Sequence, residues 1–135
     1  MIVVDTNLIA YFFINGRFSE TAERVFARDP QWTAPVLWRS EFRSVLTKCL
    51  GKGYLGLEDA VEIAGAAETM MAGREYAVNS PEVLHLAASS PCSAYDAEFV
   101  ALAKDLGIRL VTADARLQKA FPGTAFSPDE FVAGR

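Results

Sequence analysis

The chain has 135 residues, of which 51% are hydrophobic, 11% aromatic and 22% charged, with a net charge of −4. That length predicts a single domain over 1–135, burying roughly two-thirds of the surface its unfolded chain exposes, and the apolar content excludes a disordered chain. The acidic balance has the wrong sign for gripping nucleic acid by bulk electrostatics, and two cysteines, Cys49 and Cys92, exclude a disulfide framework.

Ile2-Val3-Val4 is a continuous apolar run of the kind found in strands buried on both faces. It stands where a secretion signal would carry a basic and then an apolar stretch, so a cytoplasmic protein is expected. Asp5-Thr6-Asn7 leads into a helical segment, Leu8–Ile14, stopped by Asn15-Gly16. This longest apolar run falls far short of the ~18 residues needed to cross a bilayer, so no membrane association is expected. Ser19 reads as the N-cap of a helix through Ala27, and Gln31–Ala34 as a weak second strand. Pro35 suits the first turn of a long helix reaching Cys49 or Leu50, which Gly51-Lys52-Gly53 ends. A helix rich in Ala, Gly and Met follows from Leu57 to about Ala72, then a strand at Tyr76-Ala77-Val78 and a short helix from Ser80-Pro81. From Ser93 to Leu106 the positions Phe99, Leu102, Ala103 and Leu106 recur at helical spacing, with Gly107 as the left-handed stop. Ile108–Thr112 reads as a strand, Asp114 to Ala120 as a short helix, Thr124–Phe126 as an edge strand, and Ser127-Pro128-Asp129-Glu130 as the cap of a terminal turn.

Alternating β and α segments joined by short connections predict a three-layer α/β/α sandwich around a central, mainly parallel sheet. In such sheets ligands sit outside the carboxyl ends of the strands. Asp5 and Asp114 each follow a strand at once or within two residues, so both should project from that edge; the same position also suits a turn-former or helix cap. Glu41 lies beside the apolar stripe of the helix Val36–Leu50, where an ordinary boundary glutamate would also lie. Asp96 completes a Ser-x-x-Asp capping box with Ser93, a structural role compatible with pointing off the helix end toward the sheet edge. Glu98, two residues on, is either a fifth acid near the same place or, as the plainer reading has it, a solvated helix residue.

Little else in the chain could carry catalysis. His85 is the only histidine, set in a helical stretch without positional signal, and with Cys49 and Cys92 it cannot complete a four-ligand zinc site. Four converging carboxylates would repel one another and gain protons unless a cation joined them. All-oxygen donors suit magnesium or manganese, which can lower the pKa of a water and stabilise the leaving oxygen of a phosphoryl displacement.

Asp5-Thr6-Asn7 after the first strand, Ser40-Glu41-Phe42 in an early helix, Tyr95-Asp96-Ala97 opening a late helix and Thr112-Ala113-Asp114 after the next strand together resemble a PIN domain. The compact length and the run Tyr-Asp-Ala-x-Phe-x-Ala-Leu-Ala from Tyr95 look more narrowly like the VapC-type toxins of toxin–antitoxin pairs. Each motif is weak singly, and the ordered set spans nearly the whole chain. The resemblance implies a magnesium- or manganese-dependent endoribonuclease, usually dimeric and silenced by a cognate antitoxin. It also implies that Asp5, Glu41, Asp96 and Asp114 form the metal-binding and catalytic quartet, with Asn7 and Thr112 orienting those acids or a water.

Arg39 and Arg43 share a helix with Glu41 and are candidates for RNA phosphate contacts, and Trp38 for stacking an unpaired base. A solvated arginine and a core tryptophan are the plain alternatives. Tyr11, Phe12, Phe13 and Ile14 carry more apolar surface than one helix face can hide, which suggests a partner or dimer surface, as does the small-residue set Ala64, Gly65, Ala66, Ala67 and Ala72. Two other classes remain: a receiver or haloacid-dehalogenase-like phosphoryl-transfer domain, and a non-catalytic binding module whose acids merely cap helices. The first wants an acid two residues after the nucleophilic Asp, where Asn7 stands, or adjacent N-terminal acids, where Asp5 stands alone. Loss of one of the four acids would have supported the second, and all four are present.

Overall fold

Five short strands carry the architecture: β1 (Ile2–Val4), β2 (Trp32–Pro35), β3 (Glu75–Tyr76), β4 (Leu110–Val111) and β5 (Ala125–Phe126). The computed structural model describes residues 1–134; Arg135, the last residue of the expected domain, lies outside them. The strands form one sheet in the order β3-β2-β1-β4-β5, with every pairing parallel. Helices α1 (Thr6–Phe13) and α2 (Ser19–Arg28) join β1 to β2, and α3 (Trp38–Gly51) and α4 (Leu57–Met71) join β2 to β3. The chain then returns across the sheet through α5 (Ser80–Ala88) and α6 (Ala94–Leu106) to β4, through α7 (Ala115–Ala120) to β5, and ends with α8 (Pro128–Val132).

Parallel crossovers are right-handed, so reversing the direction of travel reverses the face that the helices cover. Accordingly α1 packs on α2 and α3, and α3 on α4, while α6 packs on α5 and lies against β1, β2 and β4. The expected three-layer sandwich is the observed one. Travel reverses at β1, whose neighbours are β2 and β4, and this switch point opens a crevice beyond the strand ends.

The sheet centre is dry. Val3, Val4, Leu110 and Val111 are fully buried, and each such side chain contributes about 1.5–3 kcal/mol. α6 turns Val100, Leu102 and Ala103 into the sheet core, while Ala97 and Ala101 pack with Val83 of α5. The other face is aromatic: Phe12 and Phe26 meet Trp32 edge-on at 5.3 and 5.5 Å, and Phe13 meets Phe42 at 6.5 Å. Tyr11, Phe12, Phe13 and Ile14 are all half-buried, packing part of their apolar excess against the core and leaving the rest accessible. On α4 the small-residue set divides, with Ala67 in the core and Gly65 and Ala66 exposed.

Several boundaries differ from expectation for physical reasons. α1 begins two residues early because the Asp5 carboxylate accepts the Leu8 amide at 2.8 Å and caps it. Ser19 opens α2 rather than capping it; its hydroxyl accepts the Gly16 amide and donates to the Ile14 carbonyl, closing the preceding turn. Pro35 ends β2 instead of starting α3. The amides of Ala34 and Val36 make the bonds to β3, so the residue between them needs no donor on that side. β3 lies at Glu75–Tyr76, one residue upstream of the expected start. Ser93 caps α6, Gly107 ends it at φ 66°, and Ser127 with Glu130 forms a reciprocal capping box on α8. Among the described residues no helix is long and apolar enough to cross a membrane, and both cysteines are free.

Candidate active site

A cavity of about 250 Å³ opens at the switch point, lined by Asp5, Thr6 and Asn7 from the end of β1 and the start of α1, and by Asp114 and Leu117 at α7. α3 adds Glu41, Ser44, Val45 and Lys48 from one side, and α6 adds Asp96 and Phe99 from the other. All four acids singled out in the sequence thus face one space, brought there by four separate segments. His85 is exposed on α5 and takes no part.

Each acid is held differently. Asp5 is the most buried, and its second oxygen accepts the Thr112 hydroxyl at 2.6 Å. Burial pushes its carboxyl up from 3.8 to about 6, against the hydrogen bonds from Thr112 and the Leu8 amide; the nearby Asp114 charge adds to the rise. Thr112 also accepts the Asp114 amide at 3.0 Å, so one hydroxyl ties the ends of β1 and β4 together. Glu41 accepts the Thr6 hydroxyl at 2.7 Å, and its carboxyl is raised by burial and by Asp96.

Asp96 sits where the capping box was expected, yet only half of that box forms. Its amide bonds the Ser93 hydroxyl at 3.1 Å, while its carboxylate faces the cavity. Asp114 caps α7 through the Arg116 amide at 2.8 Å. The Arg116 guanidinium reaches Asp114 at 3.1 Å and Asp96 at 3.7 Å, and its hydrogen bond holds the Asp114 carboxyl below its ordinary value. Asp5 and Asp114 are therefore helix caps and cavity acids at once. Glu98, expected in solvent, is half-buried, and burial together with Glu41 raises its carboxyl.

The remaining candidates fare otherwise. Thr112 holds Asp5 as described, and Asn7 is exposed on the cavity wall. Trp38 is fully buried, its indole N–H donating to Glu75 at 2.6 Å, so it offers no face to a base and the stacking expectation is corrected. Arg39 is spent on Glu75, at 2.7 and 2.8 Å, and on Glu68 at 2.9 Å, so it too departs from the expected phosphate role. Arg43 is exposed but is not among the residues lining the cavity. The cations that do reach the site, Lys48 and Arg116, escaped the sequence reading, as did Thr6. Lys48 stands seven residues after Glu41, a spacing that returns to the same helix face.

Among the described residues no three acids, histidines or cysteines stand close enough, as their side chains lie, to enclose an ion. The donor set still fits a hard divalent cation: it is entirely oxygen, it opens on one cavity, and buried Asp5 and half-buried Glu41 have no cationic partner there among the described residues. The sequence model of the PIN domain matches residues 2–121. This chain belongs to the PIN domain family. A protein of Pyrobaculum aerophilum named Ribonuclease VapC3 is 29% identical to this PIN domain over 124 residues, covering 90% of this chain and 95% of the relative. A solved structure from Pyrobaculum aerophilum is similar at a TM-score of 0.77, covering 98% of this chain and 94% of the other at 18% identity. A toxin–antitoxin complex from Klebsiella pneumoniae contains a chain similar at a TM-score of 0.68, with 95% and 98% covered and 18% identity. These two likenesses concern the fold.

Proposed function

We propose that this PIN domain is a divalent-metal-dependent endoribonuclease of the VapC type, the toxin of a toxin–antitoxin pair. The observation that carries the reading is the meeting of Asp5, Glu41, Asp96 and Asp114 in one cavity at the switch point, from four separate segments. Family membership, the relative named Ribonuclease VapC3 and the likeness to a toxin–antitoxin complex support it.

The four carboxylates would hold magnesium or manganese. Such an ion supplies charge neutralisation at a phosphoryl centre and lowers the pKa of a water. The chain's own residues do the rest. Thr112 and Thr6 orient Asp5 and Glu41 by donating to them, fixing two rotamers before any ligand arrives. Thr112 joins Asp5 to the Asp114 amide, holding the β1 and β4 edges in register. Lys48, with Ser44 beside it on α3, is the cation placed to meet an RNA phosphate, and Asn7 is a further polar contact at the wall. A cognate antitoxin would silence the site, and action in the cytoplasm as a homodimer completes the reading.

The test is thermal stability across manganese and magnesium titrations for the wild type and Asp96→Asn, followed by RNA cleavage at the saturating metal concentration. A ligand bound only by the folded state adds about 2.7 kcal/mol at a hundredfold excess over Kd. The wild type is expected to rise with metal and to cut RNA, and Asp96→Asn to respond weakly and not to cut. A wild type indifferent to both metals and inert toward RNA overturns the assignment.

A further inference from the structure

Arg116, outside the cavity lining but paired with two of its acids, is a cation whose charge is already taken. Its guanidinium lies 3.1 Å from Asp114 and 3.7 Å from Asp96, two acids on separate helices that would otherwise face each other unscreened across the crevice. Its side chain is 67% exposed against 25% for Asp114 and 29% for Asp96, so it approaches from the solvent side and can leave without disturbing the core. The two acids without such a partner among the described residues, Asp5 and Glu41, lie deeper and have raised carboxyls. The cavity is thus divided into a deep uncompensated pair and an outer pair bridged by an intrachain cation.

We propose that Arg116 is a positioning residue that holds Asp96 and Asp114 together in the metal-free protein and is displaced when a divalent ion takes its place. The inference rests on the metal-dependent reading above. One cation then substitutes for another at the same carboxylates, so guanidinium and metal compete, and the chain sets its own metal affinity through Arg116. Its backbone part is separable: the Arg116 amide, not the side chain, makes the 2.8 Å cap to Asp114, so truncating the side chain leaves the α7 cap intact.

The experiment is manganese binding by titration calorimetry, with metal-free melting, on the intact chain as wild type, Arg116→Ala and Arg116→Lys. Exposed ion pairs are weak, so Arg116→Ala should tighten manganese binding by about three- to fivefold while lowering the metal-free melting point. Arg116→Lys, which keeps the charge but not the fork, should fall between. A merely structural arginine predicts lower melting with unchanged affinity, and that result, or weaker binding in Arg116→Ala, overturns the competition. If wild type and Arg116→Ala both fail to bind manganese, the metal-dependent reading fails and the competition with it. If only Arg116→Ala binds, the displacement is supported in its strongest form.

Discussion

Replacing Asp5 by asparagine tests the electrostatics at the bottom of the cavity. Burial lifts this carboxyl from 3.8 to about 6, which corresponds to about 3 kcal/mol favouring its neutral form in the folded protein. A carboxyl raised in this way stabilises the fold fully below about pH 3.8 and loses that contribution as pH rises through about 6. Metal-free wild type should therefore weaken between pH 4 and 7. The introduced carboxamide carries no charge to desolvate, and its oxygen can still accept the Leu8 amide. Its nitrogen would have to donate to the Thr112 hydroxyl, which already accepts the Asp114 amide, leaving the hydroxyl proton without its partner at a cost of about 1 kcal/mol. The balance at pH 7.5 is about 2 kcal/mol in favour of Asp5→Asn, a melting-point rise of roughly 5–10 °C. At pH 4 the ordering reverses, with the variant about 1 kcal/mol weaker. Urea unfolding in EDTA at pH 4, 5.5, 6.5 and 7.5 reads both limbs. A variant less stable by the same amount at every pH would refute the reasoning, because the carboxylate's hydrogen bonds would then outweigh its burial.

Thr112→Val removes the donor to Asp5 and the acceptor of the Asp114 amide; it should cost about 1–3 kcal/mol in urea unfolding and move the wild-type pH loss to higher pH. Glu75→Ala strands the buried Trp38 indole N–H and should cost about 1–3 kcal/mol while leaving RNA affinity unchanged; tighter RNA binding in the variant would restore Arg39, freed from Glu75, as a phosphate contact. Gly107→Ala forces a side chain onto a residue at φ 66°, ending α6 at a cost of about 1 kcal/mol, measured by thermal melting with metal response intact.

Local chemistry is legible from residue order. A left-handed stop at Gly107, the caps at Ser93 and Ser127, and acids at the ends of β1 and β4 follow from residue types at fixed offsets, because caps and stops depend on the nearest few backbone groups. The layered α/β/α class follows from alternation alone. Which side chains meet depends on the packed fold. α3 illustrates why: Trp38, Phe42 and Leu46 point into the core, Arg39 turns to Glu75 and Glu68, and Glu41, Ser44 and Lys48 face the cavity. Helical spacing defines such stripes but not their absolute orientation, which depends on what α1 and α4 present to the helix. Asp96 shows the same limit, since the half-formed capping box leaves its carboxylate facing a cavity that α3, α7 and β1 must first create. The bridge of Arg116 between Asp96 and Asp114 spans two helices separated by β4, and no local pattern encodes it. Capping is a short-range bond that a few residues can specify, whereas convergence on one cavity depends on strand order and crossover hand, which are properties of the assembled sheet.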